Sequence, residues 1–449
     1  MKHPQTVVSS VTRGYKIQLL SVPMSRGMQR GEEMKYRARI VDSELKTLLK
    51  SSGAVLIEGP KAVGKTETAS RLAKSRVHLD VDKNAQAMAK IDPTLLLTGP
   101  TPLLIDEWQI MPEIWNHVRR EVDNRQILGQ FILTGSATPA DDVTRHSGAG
   151  RFSRLRMRPM TLYEMGQSTG DISIAALFEG DEPRATDSGL TLNNLVDRIC
   201  IGGWPKFITL EVDEAMAAMR SYLNEIIRTD IILLSGKTHD PVKLERVLQS
   251  LARNIGTAVK VETIAKDTGG SEGQIDRQTI TRYLQTLEQL MITEDLPAWR
   301  PELRSRASLR TTPTRYFVDP SLAVAALKAS PRKIIKDPKF LGFLFESLVV
   351  KDLRVFMQNL GGRLSHYRDS EDLEVDIILE SDDDKWAAIE VKLGSGQVDD
   401  GAANLLKFAA KVNTDRHGAP TFLAVITATG YGYKRQDGVY VLPVGSLKP

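Results

Sequence analysis

The eight residues Gly59-Pro60-Lys61-Ala62-Val63-Gly64-Lys65-Thr66 constrain this 449-residue chain more than any other feature. They fit G-x-x-x-x-G-K-[S/T], a loop whose glycines let backbone N–H groups close around phosphate oxygens. Such a loop needs a strand before it and a helix after it, so that amides and a helix N-terminus converge on one anion. The sequence supplies both. Ala54-Val55-Leu56-Ile57 reads as a buried strand, and Glu67 to Ala73 reads as a helix. Lys65 would then reach the β- and γ-phosphates of ATP, and the Thr66 hydroxyl would sit on Mg²⁺.

Two further apolar runs end in the right chemistry. Val77 to Asp82 reads as a second strand, and Pro102-Leu103-Leu104-Ile105 leads into Asp106-Glu107. An apolar strand closing on two acids, about forty residues past the loop, is what ATP hydrolysis uses. Asp106 would hold Mg²⁺, and Glu107 would orient or deprotonate the attacking water. Phe131-Ile132-Leu133 then ends in Thr134-Gly135-Ser136, where Thr134 or Ser136 would sense the γ-phosphate. Arg154 to Pro159 alternates basic and apolar residues, as a half-exposed last strand does. This order of signals predicts a three-layer α/β nucleotide-binding sheet.

Composition narrows the setting. Charged residues at 26%, hydrophobic residues at 41% and a net charge of +4 are ordinary for a globular chain of about three domains. No apolar run is long enough to span a bilayer, so no membrane partner is expected. The single cysteine, Cys200, excludes a disulfide framework and suits the cytoplasm; it is expected to be a buried apolar side chain. Residues 1–34 read as a flexible tail, basic before Glu32, and Met24, Met28 and Met34 are alternative starts.

The middle of the chain is expected to be helical. Gly166 to Ser188 reads as a polar linker, and Gly202-Gly203-Trp204-Pro205 as a tight turn. Helical periodicity runs over Glu211 to Ile232 and Val242 to Asn254. Val261 to Thr268 and Ile275 to Met291, split by Gly269-Gly270, predict a helix–turn–helix, with a wing beginning at Leu296 to Arg300. On DNA, Arg277, Gln278, Thr279 and Arg282 would face the groove, and Arg300, Arg304, Arg306, Arg310 and Arg315 would neutralise phosphates. A packing or signalling module with solvated basic loops fits the same residues.

Toward the C-terminus, Leu373–Leu379 and Trp386–Leu393 read as two strands joined by the acidic turn Ser381-Asp382-Asp383-Asp384. With alternating faces, Asp376 on the first and Glu390 and Lys392 on the second can meet over one site. Glu346 lies in the apolar helix Phe340 to Val350, an unfavourable place for an acid without a partner.

Three resemblances follow from these residues. Thr134-Gly135-Ser136-Ala137 with Gly150-Arg151-Phe152-Ser153 resembles the second region of homology of AAA-type ATPases. By that resemblance Arg151 is an arginine finger for a neighbouring subunit in a homo-oligomer. The family's second arginine is absent here: Ser147-Gly148 stand at that place, with Arg145 displaced. Asp376 with Glu390-Val391-Lys392 resembles the PD-(D/E)xK nuclease core. That resemblance implies Mg²⁺ held by Asp376, Glu390, the Val391 carbonyl and Glu346, with Lys392 as the catalytic cation. Residues 35–449 as a whole resemble a prokaryotic family of uncharacterised AAA-type ATP-binding proteins with a C-terminal domain of unknown function.

The expected architecture is therefore α/β. An AAA-type P-loop parallel sheet (35–168) precedes a linker and winged-helix-like helical region (169–330) and an α/β PD-(D/E)xK nuclease-like domain (331–449). The expected function is ATP binding and hydrolysis that regulates the C-terminal half. A Mg²⁺-dependent DNA nuclease with ATP as regulator, or a non-catalytic ATP switch, fits the same motifs.

Overall fold

A computed structural model describes residues 36–135, 147–230, 240–269, 275–299 and 312–449. The expected tail, Ser136, Arg145 and the arginines at 300, 304, 306 and 310 lie outside the described residues. Five parallel strands build the first sheet: β1 (Ala54–Glu58), β2 (Ser75–His78), β3 (Leu103–Asp106), β4 (Phe131–Gly135) and β5 (Phe152–Arg156). Their order across the sheet is β2-β3-β4-β1-β5. The three central strands are buried on both faces, which is why they read as continuous apolar runs. Alternate residues feed two cores. Leu56, Ile105 and Leu133 pack with Trp115 and Val118 on one side, while Val55, Leu104 and Ile132 pack with Leu45 on the other. The phosphate loop, Asp106-Glu107 and Thr134-Gly135 thus all emerge at the C-terminal ends of neighbouring strands, where open α/β sheets hold their ligands.

The predicted linker is not one. Ile172–Ser173 forms β6, and Ile174–Phe178 forms a helical turn. Ile172, Ile174, Leu177 and Phe178 are buried in the main core. Polar neighbours mask these four apolar residues in composition, but their burial decides the local structure. Among the described residues, the first five α-helices beyond it are Leu192–Ile201, Val212–Glu225, Pro241–Arg253, Val261–Gly269 and Arg277–Gln289. The last two are the predicted helix pair, with Ile280 and Leu287 buried between them and their neighbours. Val212–Glu225 does not run on as a regular helix but ends in a π-turn, Ile226–Asp230. Where a wing was expected, Thr293 pairs with Phe317 and Leu296 with Thr314 in a narrow antiparallel ribbon.

The C-terminal part opens with the long helix Pro338–Asn359. Then come β7 (Arg363–Arg368), β8 (Glu374–Glu380), β9 (Trp386–Lys392), the helix Val398–Lys411, β10 (Phe422–Thr427), β11 (Tyr433–Lys434), β12 (Tyr440–Pro443) and β13 (Leu447–Lys448). The sheet order is β11-β12-β10-β9-β8-β7, and β13 pairs with β6. Strands β7, β8 and β9 form an antiparallel meander, and β10 lies parallel to β9. None of the described helices is long and apolar enough to cross a membrane.

One core joins the helical middle to the long helix and the last strands. Within it Lys351 is buried, donating to the Met160 carbonyl at 2.9 Å beside Asp352 (3.2 Å) and Asp319 (3.5 Å). Asp352 accepts the Leu162 N–H at 2.9 Å. Burial pushes its carboxyl from 3.8 up to about 6, against the pull of Lys351. The folded chain therefore holds this proton more tightly than the unfolded chain does. The stabilisation from that proton is complete below the unfolded value and is lost as the pH rises through 6. Between pH 4 and 6.5, Asp352→Asn is expected to flatten the pH dependence of the urea midpoint relative to the parent chain.

Candidate functional site

The phosphate loop has backbone geometry suited to its task. Gly64 takes φ +102°, and Ala62 is left-handed at φ +60°, a strained conformation that tends to be kept at functional sites. Gly59 admits no side chain: a Cβ there would stand 2.3 Å from the Met157 carbonyl oxygen. Lys65 begins the helix Lys65–Ser70 and is buried. Its Nζ donates to the carbonyls of Gly59 and Pro60, each at 2.9 Å. Burial pulls its ammonium down to about 8, opposed by the charges of Glu107 and Asp106.

Asp106 is the hub of the site. Its Oδ1 accepts the Thr66 hydroxyl at 2.9 Å and the Thr134 hydroxyl as well. Thr134 thus braces Asp106, because strands β3 and β4 pair the two residues directly. His78 Nδ1 lies 3.0 Å from Asp106 Oδ2. His78 escaped the sequence reading, although it ends β2 in register with Asp106. Glu107 takes φ +53° and ψ +46°, which turns the chain sharply after the strand. Its carboxylate accepts a short hydrogen bond from the Gln109 amide.

Residues from other segments grip the loop. Arg39 is buried; it donates to Val63 O at 3.0 Å and to Arg158 O at 2.7 Å, and pairs with Glu164 at 3.0 Å. Trp204 Nε1 and the Tyr222 hydroxyl donate to the Lys61 carbonyl at 3.0 and 3.3 Å. The Gly-Gly-Trp-Pro turn is therefore a contact to the phosphate loop, not a mere connection. Arg151 is placed elsewhere. Its carbonyl accepts the Ala54 N–H, at the end of β1 remote from the loop, and its guanidinium pairs with Asp123 at 2.9 Å. Four residues of strand, about 13 Å, separate Ala54 from Glu58.

The C-terminal residues also converge. Asp376 Oδ2 accepts the Val391 N–H at 2.8 Å and lies 3.8 Å from Lys392 Nζ. Glu390 pairs with Lys392 and accepts from Asn404 at 2.8 Å. Glu346 accepts the Tyr316 hydroxyl. Burial and the Asp376 charge hold Glu346 well above the usual carboxylate range and push Glu390 up to about 7. The Val391 peptide contributes its N–H to Asp376. Among the described residues, no group of three Asp, Glu, His or Cys is disposed to hold a metal ion.

The expected DNA-facing residues are partly spoken for. Arg315 is largely buried and pairs with Asp295, so it is no phosphate contact. Its backbone pairs with Thr257, which holds the residue in the ribbon beside Asp295. Arg277 pairs with Glu262 at 3.3 Å, and Arg282 donates to Thr279 at 3.1 Å.

Residues 51–166 match the model of an AAA domain. The matched stretch takes in the phosphate loop, Asp106-Glu107 and all five strands of the first sheet. Residues 192–333 match a domain of unknown function, DUF8612, and residues 341–447 another, DUF4143. Among solved structures, the chain is similar to a Walker-type ATPase of Pyrococcus abyssi, at 11% identity over 64% of this chain and 94% of that one, with a TM-score of 0.38. It is also similar to a signal-transduction ATPase with numerous domains from Pyrococcus horikoshii, at 12% identity over 70% of this chain and 49% of that one, TM-score 0.23. No curated protein matches the chain.

Proposed function

We propose that the chain binds ATP with Mg²⁺, hydrolyses it, and passes the nucleotide state to its helical and C-terminal parts. The observation that carries this reading is the meeting of the Thr66 hydroxyl with the Asp106 carboxylate, 2.9 Å apart, beside buried Lys65. Two oxygen donors at that spacing suit a hard cation such as Mg²⁺. When bound, the ion offsets phosphate charge. Lys65 leaves the Gly59 and Pro60 carbonyls for the β- and γ-phosphates. Thr134 keeps Asp106 oriented, and Glu107 aligns the attacking water and takes its proton. Ser136 is the other candidate sensor of the γ-phosphate. Arg151 would meet the γ-phosphate only of a neighbouring copy. Titration with ATP and Mg²⁺, followed by steady-state hydrolysis with and without DNA, tests the reading. Binding with Mg²⁺-dependent turnover is expected; a chain that does not bind ATP removes it. Bound ATP without turnover would instead mark a non-catalytic switch.

A second reading, a DNA nuclease regulated by ATP, is favoured by the succession of long helix, three-strand meander, helix and parallel strand around Glu346, Asp376, Glu390 and Lys392. In this structure Tyr316, Val391, Lys392 and Asn404 engage the carboxylates, so this reading requires some of those contacts to give way to a cation. On this reading the chain nicks plasmid DNA with Mn²⁺ or Mg²⁺, and Lys392→Ala lowers the rate by about a hundredfold or more, as for other lost charge-stabilising groups. Plasmid left intact by the parent chain removes it, and cleavage that survives Lys392→Ala belongs to a contaminant.

A further inference from the structure

We infer that Glu294 is the coupling residue between the phosphate loop and the C-terminal carboxylate cluster. The inference rests on the nucleotide reading above and names the route by which that site is heard at a distance.

The route begins where the loop is held. Met157 N–H donates to the Glu58 carbonyl at 2.7 Å, and Gly59 packs on the Met157 carbonyl oxygen with no room for a side chain. Arg39 fastens Val63 of the loop to the carbonyl of Arg158. The residues on either side of Met157, Arg156 and Arg158, both reach Glu294. Arg158 makes two bonds to it, at 2.9 and 2.7 Å, and Arg156 stands 3.6 Å away. Paired, two-pronged contacts of this kind fix direction as well as distance.

Glu294 then passes the contact on in two ways. Its backbone N–H donates to the Tyr316 carbonyl at 2.9 Å across the ribbon. Its carboxylate lies 3.6 Å from Arg354 on the long helix, and Arg354 in turn sits over the Tyr316 ring at 5.8 Å. The Tyr316 hydroxyl ends the series on Glu346. Burial pushes the Glu294 carboxyl upward, but Arg158, Arg354 and Arg156 outweigh it and keep it ionised, well below the usual carboxylate range. An ionised acid shared by arginines from two parts of the chain ties the position of one to the position of the other.

Contiguity alone does not couple two sites; an element with two arrangements must lie between them. The loop supplies one. Lys65 closes on the carbonyls of Gly59 and Pro60, and a bound triphosphate would compete for the same ammonium, freeing both carbonyls in the stretch where Gly59 packs on Met157. The ribbon also has room to respond. A cavity of ≈ 170 Å³ runs along it, lined by Leu284, Thr293, Asp295, Arg315 and Tyr316 among others.

Hydrogen–deuterium exchange of the full chain, with and without ATP and Mg²⁺, reads the coupling in β8, β9 and the long helix. In the parent chain ATP is expected to change exchange over Glu374–Lys392 by about fivefold or more, the low end of ordinary coupling energies. Glu294→Gln, which keeps shape but loses charge, is expected to bind ATP as tightly and to lose most of that response. An unchanged response in Glu294→Gln overturns the inference, as does a parent chain that binds ATP without any change in β8 and β9. A parent chain that does not bind ATP instead overturns the nucleotide reading beneath it. Should Glu294→Gln fail to fold, Tyr316→Phe tests the last step. It removes one hydroxyl and is expected to suppress the response at Glu346 and β8 alone; a full response there overturns the route.

Discussion

Alanine at Lys65 will lower ATP affinity by about two orders of magnitude or more. Truncating one partner of a desolvated charge pair costs about 2–5 kcal/mol, and each 1.4 kcal/mol is about tenfold in affinity. The folded protein itself should hardly suffer. In the absence of nucleotide, Lys65 is buried, with its ammonium pulled down to about 8, and its partners are two neutral carbonyls. The variant loses those two bonds but also the cost of burying a charge. Calorimetric titration with ATP, run beside a thermal melt, separates the two effects. Lost binding with a melting temperature near that of the parent is expected. A large fall in the melting temperature would make Lys65 a structural residue instead.

Glu294→Ala is expected to be the most damaging single change outside the nucleotide site. It strands the guanidinium groups of Arg158 and Arg354, both largely buried, and breaking a buried ion pair from one side costs about 3–5 kcal/mol. That is a large share of the stability of an ordinary domain. Arg156 offers the contrast. Its side chain is 35% exposed and stands at 3.6 Å from the carboxylate, so Arg156→Ala should cost about 1 kcal/mol or less, as exposed pairs do. Urea denaturation of the two variants measures the difference. Equal losses would mean that Glu294 is not held chiefly by Arg158 and Arg354.

Much of the nucleotide site was legible because its residues are local in sequence. Gly59 to Thr66 announce their own turn, and Asp106-Glu107 end an apolar run. What tertiary packing supplies was not legible. Arg39, Trp204, Tyr222 and His78 reach the site from separate segments, and none carries a local signal for the contact it makes. Thr134 was expected to face phosphate, yet in-register pairing of β3 and β4 turns its hydroxyl onto Asp106. The same limit explains the linker, where the polar residues that flank Ile172 to Phe178 hide a short apolar run that is buried in the core shared with the C-terminal part. Alternation along β8 and β9 did foretell that Asp376, Glu390 and Lys392 meet. It could not foretell Tyr316, which comes from the ribbon sixty residues earlier and occupies Glu346.

Glu107→Gln tests the central claim most directly, read as ATP bound and ATP hydrolysed by the same sample. Glu107 sits on the left-handed residue that follows Asp106, and its electrostatic reach extends to Lys65. Losing a general base lowers rates by about 10²–10⁴. The account predicts that the variant holds ATP as the parent does, while turnover falls by at least about a hundredfold. Turnover at the parent rate, with ATP bound, would contradict it.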